Sequence, residues 1–235
     1  MAKKQLDEQE EAAQESVAVS ADDKLERVAC TPVPVSADNF NTKAILPYGL
    51  ALAHVYLAMN EFVDFLGFIN QQLNSKRIQR FESMLMPANF SSMVGEFITS
   101  TIPKHCATLA KNQYHNGHPD LLPKGRFPGN ALQHGAEGIE VKASRYHRGW
   151  QGHNAEECWL MVYVFDSNRP SDGAKKISPR PFIFQKVYLA QLTKDDWLFS
   201  GRKEGSRRTI TASVTRVGFE KLKANWLYHD GGEKH

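Results

Sequence analysis

The chain has 235 residues, of which 41% are hydrophobic and 10% aromatic, and carries 29 Lys+Arg against 26 Asp+Glu for a formal net charge of +3. That length suits one domain, or one domain with an appendage, burying about 70–75% of its unfolded surface. No unbroken apolar run reaches the about 18 residues needed to span a bilayer. The charged start has no apolar signal segment, so the expectation is a cytoplasmic protein with no membrane contact.

Residues 1–27 hold four basic and eight acidic residues, a net −4, which leaves +7 on the remainder. The acidic stretch has no aromatic residue and few large aliphatics, so it lacks the apolar surface to offset its ordering entropy. A short helix over 5–16 is compatible with its Glu, Gln and Ala content. TPVPVS (31–36) favours extended or polyproline geometry. Together these predict a mobile acidic tail and linker over 1–37, and a folded body over 38–235.

The body opens with a helical part, 38–103. Phe62, Phe65, Leu66, Ile69 and Leu73 form an apolar stripe at spacings of three and four, predicting two or three helices between 45 and 85 with Pro87 as terminator. A further helix is expected from Ser91 or Ser92, through Met93, Val94, Phe97 and Ile98, to a stop before Pro103. Residues 115–138 are dense in Gly, Pro, His and Asn, as loops beside short strands require. Strands follow at 138–143, 159–165, 181–192 and 208–214, then a helix over 217–227. WLMVYVF (159–165) shows no alternation, so it should be central and covered on both faces. The order predicts a mixed α/β fold with helices on both faces of a sheet. Cys30, Cys106 and Cys158 are odd in number and form no CxxC pair, which excludes a disulfide framework or zinc knuckle. Cys106 and Cys158 read as small buried hydrophobes.

GIEVKA (138–143) alternates, with Ile139, Val141 and Ala143 on one face and Glu140 and Lys142 on the other. Residues two apart on a strand lie side by side, about 6–7 Å between α-carbons. Twenty residues before Glu140 stands Pro119-Asp120. If Asp120 ends a hairpin partner of that strand, two carboxylates and a lysine converge. Such an oxygen-rich corner suits a hard dication such as Mg²⁺, which can acidify a bound water and offset charge building on phosphorus.

Pro119-Asp120, a spacer and Glu140-Val141-Lys142 resemble the PD-(D/E)xK motif of the restriction-endonuclease-like superfamily. The resemblance implies Mg²⁺-dependent phosphodiester hydrolysis on a mixed β-sheet flanked by helices, leaving 5′-phosphate ends. By motif position, Asp120 and Glu140 would be metal ligands and catalytic residues, Lys142 the catalytic lysine, and the Val141 carbonyl a further ligand. Family members often place a glutamate on the preceding helix, and Glu96 matches that placement as a metal ligand. The likeness runs from Glu96 to Phe165, about a third of the chain. A cross-face ion pair of Glu140 and Lys142 beside a turn at Asp120 is the bland alternative.

SRYHRGWQGHN (144–154) places Arg145, Arg148 and Gln151 among Tyr146 and Trp150, a combination suited to phosphate contact and base stacking. Lys124 and Arg126 could grip the backbone as well, and so could Arg202, Lys203, Arg207 and Arg208 in GRKEGSRRT (201–209). His115, His118, His147 and His153 surround the motif without zinc-pair spacing and read as loop residues, some touching phosphate. No serine or cysteine nucleophile signature and no Walker loop is present. The resulting expectation is a type II site-specific deoxyribonuclease of a restriction-modification system. It would act on double-stranded DNA as a homodimer with one site per strand, its interface on the helices between 45 and 85. The alternatives are a repair or structure-specific nuclease of the same fold, and a non-catalytic DNA-binding protein.

Overall fold

The computed structural model describes residues 21–152, 155–199 and 211–231. Helix α1 (Ala21–Ala29) comes first, followed by α2 (Leu52–Ser75), the single turn α3 (Phe81–Met84) and α4 (Pro87–His105). Strands β1 (Leu109–Lys111), β2 (Leu121–Pro123), β3 (Ile139–Ser144), β4 (Gln151–Gly152), β5 (Trp159–Asp166) and β6 (Ile183–Gln191) come next. The chain continues through β7 (Trp197–Phe199), β8 (Ala212–Val214), helix α5 (Arg216–Ala224) and β9 (Trp226–His229).

Six strands form one mixed sheet in the order β1-β2-β3-β5-β6-β9, and β4-β8-β7 form a small second sheet. All pairs in the large sheet are antiparallel except β3 with β5, which run parallel from Ile139↔Trp159 to Ser144↔Val164. The fold is therefore mixed α/β, with β5 inside the sheet. Its lack of alternation follows from two apolar layers. Met161, Tyr163 and Phe165 point to the core under α2 and α4, while Leu160, Val162 and Val164 point to a second core with Trp150, Trp197, Val214 and Leu222. A strand buried on both faces has no polar face to alternate with.

On the helical side, Val55, Ala58, Met59, Phe62, Val63 and Leu66 of α2 are buried at helical spacing. Phe62 meets Phe182 and Phe184 at centroid distances of 5.2 and 5.6 Å. Among the described residues α2 is the one helix long and apolar enough, by length and composition, to cross a membrane, and here it is a core helix.

Four boundaries differ from the sequence expectation. Residues 29–35 pack against the body rather than forming a tail and linker: Ala29, Cys30 and Val35 are buried, and the Val33 N–H donates to the Phe182 carbonyl at 2.8 Å. Alternate Val side chains between prolines let this segment lie along the core. Residues 1–20, with the expected helix over 5–16, lie outside the described residues. Pro87 opens α4 instead of ending a helix, since a first helical position needs no N–H. The same helix passes Pro103, which falls in its last turn. The final helix stops at Ala224, because Asn225 turns the chain by donating to the carbonyls of Leu189 (2.7 Å) and Ile45 (2.8 Å). That sends Leu227 and Tyr228 into the core as β9. Of the strand expected over 208–214, the described part is Ala212–Val214.

Beyond the end of β5, a buried arginine ties four segments together. Arg80 donates to Glu26 of α1 (2.7 Å), Glu82 of α3 (2.7 Å), Asn168 (2.8 Å) and the Arg180 carbonyl (3.0 Å). Glu82 also accepts from Asn70 of α2 at 2.9 Å. Removing one partner of a buried pair leaves an uncompensated charge, at a cost of about 3–5 kcal/mol. Arg80→Met is therefore expected to lower the unfolding free energy in urea by about that amount. A loss within ordinary surface-mutant scatter, about 0.5 kcal/mol, would show that the network is not structural.

Candidate functional site

Two strand pairings build the site. β2 lies antiparallel to β3 with Leu121 opposite Ile139, which brings the preceding residue, Asp120, alongside β3. Its Oδ2 accepts the Val141 N–H at 2.8 Å. The approach depends on Gly138, whose φ is +154°: a Cβ there would lie 2.4 Å from the Leu121 carbonyl oxygen. Asn112 anchors the loop before Asp120. Its backbone N–H donates to the Asp120 carbonyl (2.8 Å), and its side-chain amide donates to the carbonyls of Pro119 (2.9 Å) and Leu132 (2.8 Å).

The second pairing, β3 parallel to β5, sets Glu140 opposite Leu160 and Lys142 opposite Val162. Glu156 and Cys158 precede β5. The Lys142 ammonium donates to Glu140 Oε1 at 2.9 Å and Glu156 Oε1 at 3.2 Å. His118 Nδ1 lies 3.0 Å from Glu140 Oε2, and its Nε2 lies 3.6 Å from Cys158 Sγ. The His134 ring stacks on His118 at 5.2 Å. Glu156 Oε2 is buried with no hydrogen-bond partner.

The protonation shifts point almost uniformly toward positive charge. Burial and the Glu140 charge raise the Asp120 carboxyl to about 7, against the Val141 N–H and the Lys142 ammonium, which lower it. Burial likewise raises Glu156, with Lys142 opposing and Glu140 adding to the shift. For His118 burial works downward, but the hydrogen bond and charge of Glu140 prevail and raise it. Lys142 is raised by Glu140 and Glu156 in spite of burial. Glu140 alone goes down, to about 2: burial works against it, yet His118 and Lys142 both hold its anion. Burial raises the Cys158 thiol, so it is a poor nucleophile.

The structure thus gathers Asp120, Glu140 and Lys142, with Val141 between. Among the described residues no hydrogen bond joins Glu96 to this group: it is mostly exposed on α4 and paired with Lys111 at 2.8 Å, though its charge reaches Asp120 and adds to the rise of that carboxyl. Arg145 is not at the surface either. Its guanidinium lies 5.1 and 5.0 Å from the Phe90 and Phe165 ring centroids and donates to Ser167 Oγ (2.7 Å) and the Asn168 carbonyl (3.1 Å). Burial, with Arg169 nearby, lowers its pKa to about 10. Lys124, Arg126, Arg148 and Gln151 are exposed, Arg126 paired with Glu137 at 3.0 Å. His115 and His147 are exposed, while Trp150 is a core residue. Arg202, Lys203, Arg207, Arg208 and His153 lie outside the described residues.

Glu156 and Asn112 were not singled out by the sequence, and His118 was read there as one of several loop histidines rather than as a partner of Glu140. Glu156 carried one usable signal: it shares parity with Cys158 and Leu160, so strand alternation puts it on the face that parallel pairing aligns with Glu140. The chain matches no known protein family, no curated protein and no solved structure.

A carboxyl raised in the folded state adds stability that is complete below the ordinary carboxylate range and is lost as pH rises through about 7. In metal-free buffer, Asp120→Asn should therefore be more stable than the parent at pH 8, by on the order of a few kcal/mol. The gap should close below about pH 4, as urea unfolding across pH will show. A variant less stable than the parent at pH 8 contradicts this charge assignment.

Proposed function

We propose that the chain is a Mg²⁺-dependent endonuclease that hydrolyses phosphodiester bonds of double-stranded DNA, a type II site-specific deoxyribonuclease of a restriction-modification system. One observation carries the reading: the β2–β3 pairing sets Asp120 against the strand whose next residues are Glu140 and Lys142. This is the arrangement that the PD-(D/E)xK resemblance calls for.

The donor set fits a hard dication. Asp120 and Glu140 offer carboxylate oxygens, and the upward shift of Asp120, from burial first and the Glu140 charge second, marks a corner short of positive charge. Asp120, Glu140 and the Val141 carbonyl would hold the ion. Bound there, Mg²⁺ would supply Lewis acidity and a more acidic water. The chain's own residues do the rest. Lys142, held by Glu140 and Glu156, presents an ammonium to a phosphate oxygen or to the attacking water. The Val141 N–H keeps the Asp120 carboxylate turned to the site. Lys124, Arg148 and Gln151 are exposed and available to the phosphate backbone. Two strands need two sites, so the reading includes a homodimer with one site per strand.

Plasmid incubated with the protein and Mg²⁺ should give discrete fragments ending in 5′-phosphates. EDTA should abolish them, and Lys142→Ala should lower the rate by about 10²–10⁴-fold. No cleavage with any divalent ion sinks the proposal. Preference for flaps or nicks over intact duplex would turn it toward a structure-specific nuclease.

A further inference from the structure

Beside the Asp120 corner lies a second donor set that the motif does not include. One ligand atom each from His118, Glu140 and Glu156 lie within 4.8 Å of one another. Around an ion with metal–ligand distances of about 2.0–2.2 Å, donor atoms sit roughly 3–4.3 Å apart, so modest side-chain rotation would close the set. An acidic cluster alone is weak evidence, but Glu156 adds an independent fact. Its side chain is 7% exposed, and its Oε2 has no hydrogen-bond partner. A buried carboxylate oxygen left without a donor is costly, and the fold keeps it beside an imidazole and a second carboxylate.

Lys142 does not fill that role. It binds the Oε1 atoms of both glutamates, while Glu140 Oε2 faces His118 Nδ1 at 3.0 Å and Glu156 Oε2 is left without a partner. We propose that His118, Glu140 and Glu156 form a site for a divalent first-row transition-metal ion, sharing Glu140 with the Asp120 corner. The imidazole nitrogen sets its preference. Mg²⁺ favours all-oxygen shells with retained waters, whereas Mn²⁺, Fe²⁺ and Zn²⁺ accept imidazole with carboxylates. Cys158 Sγ, 3.6 Å from the far ring nitrogen, and the stacked His134 ring orient His118 as outer-shell partners orient metal-bound histidines. The site stands on these side chains alone and does not require nuclease activity.

Mn²⁺ titrated into the metal-free full chain, followed by pulsed electron paramagnetic resonance, tests it. A directly bound imidazole nitrogen should modulate the spin echo in the parent, and the modulation should vanish in His118→Gln. Glu156→Gln should weaken Mn²⁺ binding about tenfold or more, with circular dichroism confirming that both variants fold. An ion held by Asp120 and Glu140 alone shows no nitrogen, so absence of the signal in the parent overturns the inference without reference to any variant. Persistence of the signal in His118→Gln, or unchanged affinity in Glu156→Gln, overturns it too. Plasmid cleavage in Mg²⁺ without the nitrogen signal refutes this site and leaves the nuclease reading standing. A nitrogen signal without cleavage in any metal does the reverse.

Discussion

Three carboxylates and one ammonium packed around one interior strand, β3, cannot all keep their charge without help. Two like charges about 4 Å apart at an effective dielectric of 20 repel by about 4 kcal/mol. Glu140 escapes this by taking most of the available positive charge, from Lys142 and His118. Asp120 and Glu156 are left to hold protons further up the pH scale. Burial is the larger cause of both rises, and the Glu140 charge adds to it. The acids of the site are therefore unequal in charge, Glu140 held as the anion and Asp120 and Glu156 pushed toward their protonated forms.

Such an imbalance survives only on a frame that does not relax. β5 is locked between two apolar layers, so β3 beside it has no freedom to slip: a one-residue shift would carry Glu140 and Lys142 into the helical core. The other end of β5 is clamped by a second polar cluster. There Arg180 grips Asp166 at 2.8 and 3.0 Å, Arg80 binds Asn168, and Arg145 stacks on Phe165. Leu160, level with Glu140, and Asp166 are about 20 Å apart along the strand. The cluster at the Asp166 end has nearly matched charges and stabilises the fold. The one at the Glu140 end is mismatched, and it is there that the proposed chemistry is placed.

The central sheet and the acid–acid–lysine corner were legible in the sequence because each has a local pattern. Alternation in GIEVKA assigned Glu140 and Lys142 to one face, and an unbroken apolar run marked β5 as central. What escaped was whatever depended on partners far along the chain. Arg145 sits in a row of charges and aromatics that reads as a binding loop, yet Phe90, 55 positions earlier, and Phe165 receive its guanidinium. Glu26 looked like one acid of a solvated tail until Arg80 supplied its counter-charge. Glu96 has the motif's spacing and its charge reaches Asp120, but its ion-pair partner is Lys111 on β1, which the sequence did not foretell. Glu156 was hidden because parallel pairing, which no short window shows, decides which residues meet across two strands.

The most direct test of the account is to count the protons that leave when metal enters. Metal-free protein is titrated with Mg²⁺ by calorimetry in buffers of different ionisation enthalpy, at pH 6 and at pH 8.5. If the corner holds protons in place of a cation, binding at pH 6 releases protons from Asp120 and its neighbours, and the number released per ion falls at pH 8.5. Binding that releases the same number of protons at both values, or no binding at all, contradicts the central claim that this buried mismatch is built for a metal ion.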